Sequence, residues 1–351
     1  MDITPYLKLM IDKDGSDLYF TPGSMPRMKV DGQMAAIGKD PLSTDLVMAA
    51  IIGIMDDTQQ QLFEQELEVD FAISLGNAGR FRVNAFHQRG QPAMVLRYIK
   101  GTVPNIDDLK MPESLKELIL NRRGLLLMVG GTGSGKSTTL AAMLDHRNRT
   151  TSGHILTIED PVEFIHPHKK SLVNQREVGP DTHSYARALK SALREAPDVI
   201  LIGEIRDRET MEAALELAGT GHLAISTLHA NNAYQAMNRI INMFPQAMHK
   251  QLFMDLSLYL RAVISQRLVP SLDGKRRAAV EILLNTPHVS ELILKGQVDE
   301  IKEILESSTE KGVQSFDLAL FNLYQEKAIS LEEALNNADS RANLEARVHF
   351  G

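Results

Sequence analysis

The chain has 351 residues, enough for two domains, and its 43% apolar and 24% charged content is that of a folded protein and not of a disordered one. The formal net charge is −7, which argues against a general grip on nucleic acid through a basic surface. There is no cysteine, which excludes disulfides and any cysteine-ligated zinc site.

The opening MDITPYLKLMIDKDG has no basic start followed by an apolar core, so it is not read as a secretory signal. RMKV-DG-QMAAI (27–37) predicts a hairpin, because Asp-Gly suits a tight two-residue turn. STDLVMAAIIGIMDDTQQQLFEQE (43–66) predicts one helix capped by Ser43. Its apolar run LVMAAIIGIM is roughly half of the ~20 residues a spanning helix needs. No transmembrane segment is expected, and the chain reads as cytoplasmic with any membrane contact peripheral. EVDFAISLG (68–76), RFRVNAF (80–86) and MVLRYI (94–99) read as strands. In RFRVNAF the alternation puts Arg80, Arg82 and Asn84 on one face and Phe81, Val83 and Ala85 on the other. Residues 1–99 are thus expected to form a mixed α+β domain. KGTVPNIDDLKMP (100–112), with two prolines and a glycine, reads as a linker.

From 113 to 351 the pattern changes. ESLKELILNRRG (113–124) predicts a helix ended by Gly124. LLLMV (125–129), HILTI (154–158), VILIG (199–203) and HLAISTL (222–228) predict strands. Between them STTLAAMLDHRN (137–148), HSYARALKSALREA (183–196) and RETMEAALELA (208–218) predict helices. Fully apolar strands alternating with helices imply a parallel sheet covered on both faces. HPHKK (166–170) reads as a solvated loop. Beyond about 287 the chain reads as several short helices, ending in a charged, loose tail at 340–351.

GGTGSGKS (130–137) fits G-x-x-x-x-G-K-[ST] in the context that pattern requires, between an apolar strand and a helix. The glycines let backbone N–H groups turn inward around a phosphate, and the helix N-terminus adds partial positive charge. The expected nucleotide-binding set is Gly131, Thr132, Gly133, Ser134, Gly135, Lys136, Ser137 and Thr138. Lys136 would reach the β- and γ-phosphates, and Ser137 would ligate Mg²⁺. PDVILIGEIRD (197–207) is an apolar strand running into acids. Glu204, where the strand emerges, would hold Mg²⁺ through water or else form a surface ion pair; Asp198 stands at the wrong end. In HILTIEDPVEF (154–164), Glu159, Asp160 and Glu163 cluster past a strand end. They make either a solvated acidic turn or a carboxylate that polarises an attacking water.

TGHLAISTLHANN (220–232) brackets one strand with His222 and His229. Seven residues along a strand span about 23 Å at ~3.3 Å per residue, so the two cannot share a metal. His229, at the C-terminal end of its strand, lies where α/β sheets bind ligands. His222 is expected to pack or to face another subunit.

Taken in order, the phosphate loop, HILTIEDPVEF, NQREVG, ILIGEIRD and TGHLAISTLHANNA resemble the secretion ATPases. Within these they resemble the type IV pilus retraction ATPases of the PilT/PilU family. The likeness runs from about SDLYF (16–20) to the last helices. NQREVGPDTH, LIGEIRDRETM and LHANNA are nearer the PilU-like branch. So is VSELILKGQ (289–297), which stands where PilT-like members carry the helix motif AIRNLIRE. The resemblance implies a RecA-like P-loop ATPase core, a smaller N-terminal PAS-like α+β domain, and a homohexameric motor using ATP and Mg²⁺. Glu163 would be the catalytic base and Glu204 the Walker B acid. His229 and His222 would form the His box. Arg80, Arg82 or Arg97 would complete a neighbour's site. Implied partners are a PilT-like ATPase and the inner-membrane pilus platform protein, reached from the cytoplasmic face, with no nucleic acid. Three other readings are an assembly ATPase, a nucleic-acid motor and an ATP-binding accessory subunit. The missing cysteines and short N-terminal region count against the first, the acidic balance against the second, and the full set of chemical residues against the third.

Overall fold

The computed structural model describes the chain except residues 31, 77–78, 100–101, 309 and 351. Asp31 of the expected turn and the first two residues of the expected linker therefore lie outside the described residues. The chain forms two compact units, one made of Met1–Thr102 with Glu163–Ile165, the other of Val103–Val162 with His166–Gly351.

The first unit contains α1 (Thr4–Asp12), β1 (Asp17–Phe20), β2 (Arg27–Val30), β3 (Gln33–Ala36), α2 (Thr44–Ile52), α3 (Asp57–Glu66), β4 (Glu68–Ser74), β5 (Arg80–Gln88) and β6 (Gln91–Ile99). Its antiparallel sheet has the order β3-β2-β1-β6-β5-β4. The helix predicted over 43–66 is two helices. Ser43 caps the first, which stops at Gly53; Asp56 then starts the second with a reciprocal capping box to Gln59, at 2.8 and 3.0 Å. Phe81, Val83 and Ala85 of β5 are buried against Leu18, Phe20, Phe63 and Met94, while Arg80, Arg82 and Asn84 lie on the other, half-exposed face.

The second unit opens with α4 (Ser114–Ile119), β7 (Gly124–Val129), α5 (Lys136–Thr150), β8 (Gly153–Glu159) and β9 (Ser171–Glu177). It continues through α6 (Tyr185–Ala192), β10 (Val199–Ile202), α7 (Arg208–Gly219), β11 (Leu223–Leu228), α8 (Ala233–Asn242) and α9 (His249–Tyr259). It closes with β12 (Leu260–Pro270), β13 (Arg276–Leu284), α10 (Pro287–Lys295), α11 (Ile301–Ser307), α12 (Phe316–Gln325), α13 (Leu331–Asn337) and α14 (Arg341–Phe350). The seven-stranded sheet runs β13-β12-β7-β11-β10-β8-β9, parallel except for the edge hairpin β12–β13. The central strands are buried on both faces. Leu125, Leu127 and Val129 of β7 pack with the α6–α10 side, and Leu126 and Met128 with the α4–α5 side.

Several boundaries differ from expectation. The helix predicted to 124 ends at Ile119, and Gly124, at φ +119°, instead begins β7. The helix predicted over 183–196 is confined to 185–192, because Ser184 caps it and Ala196 takes a positive φ beyond it. The loop at 166–170 is not fully solvated: His166 is buried, its N–H donates to Gln175 at 2.8 Å, and burial pushes its imidazole down to about 4. The tail is a helix, anchored by fully buried Leu344.

The parallel register fixes two edges. Val129 pairs with Leu228 and Ser265, and Ile202 pairs with Ser226 and Ile158. Gly130, Glu159, Glu204, His229 and Gln266 therefore follow their strands out at one edge. Gly124, His154, Asp198 and His222 lie at the other.

Candidate functional site: a phosphate loop at the C-terminal edge of the sheet

The loop from Gly130 to Gly135 turns through positive φ at Gly130 (+154°), Gly133 (+75°) and Gly135 (+87°), conformations that side-chain-bearing residues rarely adopt. Gly135 is also the N-cap of α5, whose first residue is Lys136. Nothing lies within 4 Å of where a Cβ on Gly131 or Gly133 would stand, so the loop faces open space at these two positions. Lys136 Nζ folds back onto the carbonyls of Gly130 (2.8 Å) and Gly131 (3.0 Å), which keeps its charge over the loop. Ser137 and Thr138, in the first turn of α5, are half-buried beside it. Ser134 Oγ is buried and has no hydrogen-bond partner among the described residues.

A cavity of about 480 Å³ opens on this loop and is also lined by Asn231, Asn232 and Gln235. Those residues start α8. Asn232 caps that helix through Gln235 N at 2.8 Å, and buried Glu281 accepts from Ala233 N at 2.7 Å and from Ser265 at 2.9 Å. The N-terminus of α8 thus borders the cavity, together with Arg267, Arg276 and Asp339. Burial pushes the Glu281 carboxyl up to about 7.

At the same edge of the sheet, Glu204 Oε1 lies 3.1 Å from His229 Nε2, and Glu204 Oε2 accepts from Arg206 Nε at 2.8 Å. The two residues singled out from separate strands are therefore one pair, and Glu204 is in an ion pair with Arg206 as one of its two expected readings had it. Glu159 accepts from Thr157 at 2.6 Å and from Gln175 at 3.2 Å. Tyr185 reaches this edge: a Cβ on Gly203 would stand 2.7 Å from its hydroxyl. Burial first, and then the charge of Asp160, hold the Tyr185 phenol well above its ordinary range, so it remains a neutral donor. Glu163 is exposed, past the cis Asp160–Pro161 bond, in the stretch that groups with the first unit.

Mg²⁺ prefers oxygen ligands and is commonly held by one or two carboxylates plus substrate phosphates. Among the described residues no three His, Asp or Glu side chains form a protein-only metal cluster. Ser137 and Glu204, oxygen donors at the same edge of the sheet, are of the type that would hold a metal taking its remaining ligands from a nucleotide and water. With both oxygens of Glu204 already engaged, a bridging water is the contact that leaves its pairs intact.

In the first unit, Arg82 and Arg97 are cross-strand neighbours. Arg97 Nε donates to buried Asp17 at 2.8 Å, and Arg82 stands 3.7 Å from Asp70. They border a cavity of about 350 Å³. Arg80 begins the same strand on the same face.

The residues that the motifs do not reveal are Gln266, Arg267, Tyr185 and Arg206. Gln266 is buried under the loop. Arg267 binds Asp339 at 2.6 Å and the Asn337 carbonyl at 2.9 Å, and lies over the Phe316 ring, tying α12–α14 to β12. The Gln-Arg pair interrupting the apolar run AVISQRLV was the available signal.

A model of the family described as Type II/IV secretion system protein matches residues 2–330. The chain is 51% identical over its full length to the type IV pilus ATPase PilU of Pseudomonas aeruginosa, covering 92% of that protein. It is 44% identical over 96% of its length to the pilus retraction ATPase PilT of the same organism, covering 98% of it. The crystal structure of the pilus retraction motor PilT with bound ADP superposes with a TM-score of 0.91 at 39% identity, covering 98% of this chain and 99% of that one. The fold is thus a RecA-like core with a smaller N-terminal α+β domain, and the chain belongs to the type II/IV secretion system protein family.

Proposed function

We propose that this chain is the subunit of an ATP-hydrolysing motor that drives or assists type IV pilus retraction, in the manner of its PilU and PilT relatives. The observation that carries the reading is the glycine loop at the C-terminal edge of the sheet, with Lys136 folded onto its carbonyls and the Glu204–His229 pair at the same edge. The loop amides and the α5 N-terminus bind phosphate oxygens, and Lys136 swings from its two loop carbonyls to the β- and γ-phosphates. Mg²⁺, once bound near Ser137 and Glu204, supplies charge neutralisation on those oxygens. Glu204 and Arg206 hold His229 at the position where a γ-phosphate would be sensed. Glu163 takes the proton of the attacking water. Arg80, Arg82 or Arg97 of a neighbouring copy adds charge in trans, within a homohexamer working at the cytoplasmic face of the inner membrane on the pilus platform protein, with or without a PilT-like partner.

The test is ATP turnover against protein concentration, with oligomeric mass recorded at each point, for wild type and Glu163→Gln. Turnover that rises with assembly, and a variant that binds ATP yet hydrolyses it at least about a hundredfold more slowly, is expected. Full turnover by the variant overturns the base assignment. No turnover in assembled wild-type rings moves the reading to a nucleotide-binding accessory subunit.

A further inference from the structure

Gln266 lies on β12 one residue past the pairing of Ser265 with Val129, so it sits directly beneath the start of the phosphate loop. It is 1% exposed. Its Nε2 donates to the Ser134 carbonyl at 2.8 Å, and its Oε1 accepts from Thr139 Oγ1 at 2.8 Å. The orientation is fixed by chemistry: a carbonyl can only accept, so the amide nitrogen must face Ser134 and the oxygen is left for the hydroxyl. Thr139 is itself fully buried in α5. One amide therefore ties the middle of the loop to the second turn of the following helix. Fit around it is close: a Cβ on Gly135 would stand 2.8 Å from Gln266 Nε2, and one on Gly130 2.6 Å from the Gln266 carbonyl.

We infer that Gln266 is a positioning residue for the nucleotide's phosphates, holding the Ser134–Gly135 peptide so that the loop keeps its cradle before a nucleotide arrives. This rests on the nucleotide-binding reading of the loop. Preorganised donors act without reorganising when the anion binds, so loosening the loop weakens phosphate binding even though Gln266 itself touches no phosphate.

The test measures affinity for Mg-ADP, together with KM and kcat for ATP, on the full-length protein. Gln266→Leu, which removes both hydrogen bonds, should raise the ADP Kd and the KM at least about tenfold, with a smaller change in kcat. Gln266→Glu keeps the acceptor for Thr139 but turns a carboxylate oxygen toward the Ser134 carbonyl. Its affinity, taken as a ratio to wild type at each pH, should recover as pH falls, because the protonated acid donates to Ser134 as the amide did. A residue that mattered only for packing would give no such recovery. Thr139→Val should weaken ADP binding severalfold and Thr139→Ser should not; this pair decides the matter if the Gln266 variants fail to fold. Folded variants that bind ADP within about twofold of wild type overturn the inference. Wild type that binds no ADP overturns instead the nucleotide reading on which it rests.

Discussion

The two edges of the seven-stranded sheet carry similar residues and use them differently. At the N-terminal edge the polar groups bond mainly to backbone, with two side-chain contacts beside them, His222 to Thr220 and His154 to Asn174. Asp198 accepts from His154 N at 2.8 Å, the His222 carbonyl accepts from Gly124 N at 3.0 Å, and His222 Nδ1 stands 3.2 Å from both Leu217 O and Thr220 Oγ1. At the C-terminal edge Glu204 pairs with the side chains of His229 and Arg206, and the glycine loop at that edge faces open space. A histidine or an acid at a strand end is therefore not informative by type. What marks the C-terminal edge is that its side chains stand on the same edge as a glycine loop facing open space.

The largest expected effect comes from emptying the cradle of its charge. Lys136→Ala should cut ATP turnover by at least about a hundredfold, measured as phosphate release, because it removes the charge held over the loop carbonyls of Gly130 and Gly131. The histidines sharpen the comparison directly. His229→Ala should lower kcat roughly tenfold or more with little change in Tm. His222→Ala should leave kcat and KM near wild type and lower Tm by a few degrees, the consequence of losing a hydrogen bond contributing about 1 kcal/mol. Equal effects of the two on turnover would erase the distinction between the edges.

Glu281 gives the smallest and most specific effect. Its carboxyl ordinarily releases its proton near 4.5, whereas burial holds it to about 7 in the fold. Between those values the folded state keeps a proton that the unfolded chain has lost, so stability falls as pH rises through the window and the full cost is present above about 7. Glu281→Gln retains an oxygen for Ala233 N and Ser265. It should flatten that pH dependence and raise stability at pH 8 by about 1–3 kcal/mol in denaturant titration.

Much of this architecture was legible because its signals are local. The apolar strands, the pairing of β2 with β3 and the phosphate loop depend on residues close in the chain. Helix ends were less legible: Gly53 and the Asp56–Gln59 capping box split a segment whose apolar and helix-forming residues run on as if continuous, and Gly124 serves a strand rather than closing a helix. The site was legible where motif and register coincide, as for Lys136. The pairing of Glu204 with His229 depends on β10 and β11 being neighbours in the sheet. Gln266 lies 132 residues from the carbonyl it holds, a separation that local reading does not bridge.

The claim that nucleotide is bound at one edge and not the other is tested most directly by amide hydrogen exchange with and without Mg-ADP. The account predicts slowed exchange across 130–138 and 228–233, and unchanged exchange across 196–198 and 219–223. Protection at the opposite edge, or none across the phosphate loop at saturating nucleotide, would contradict it.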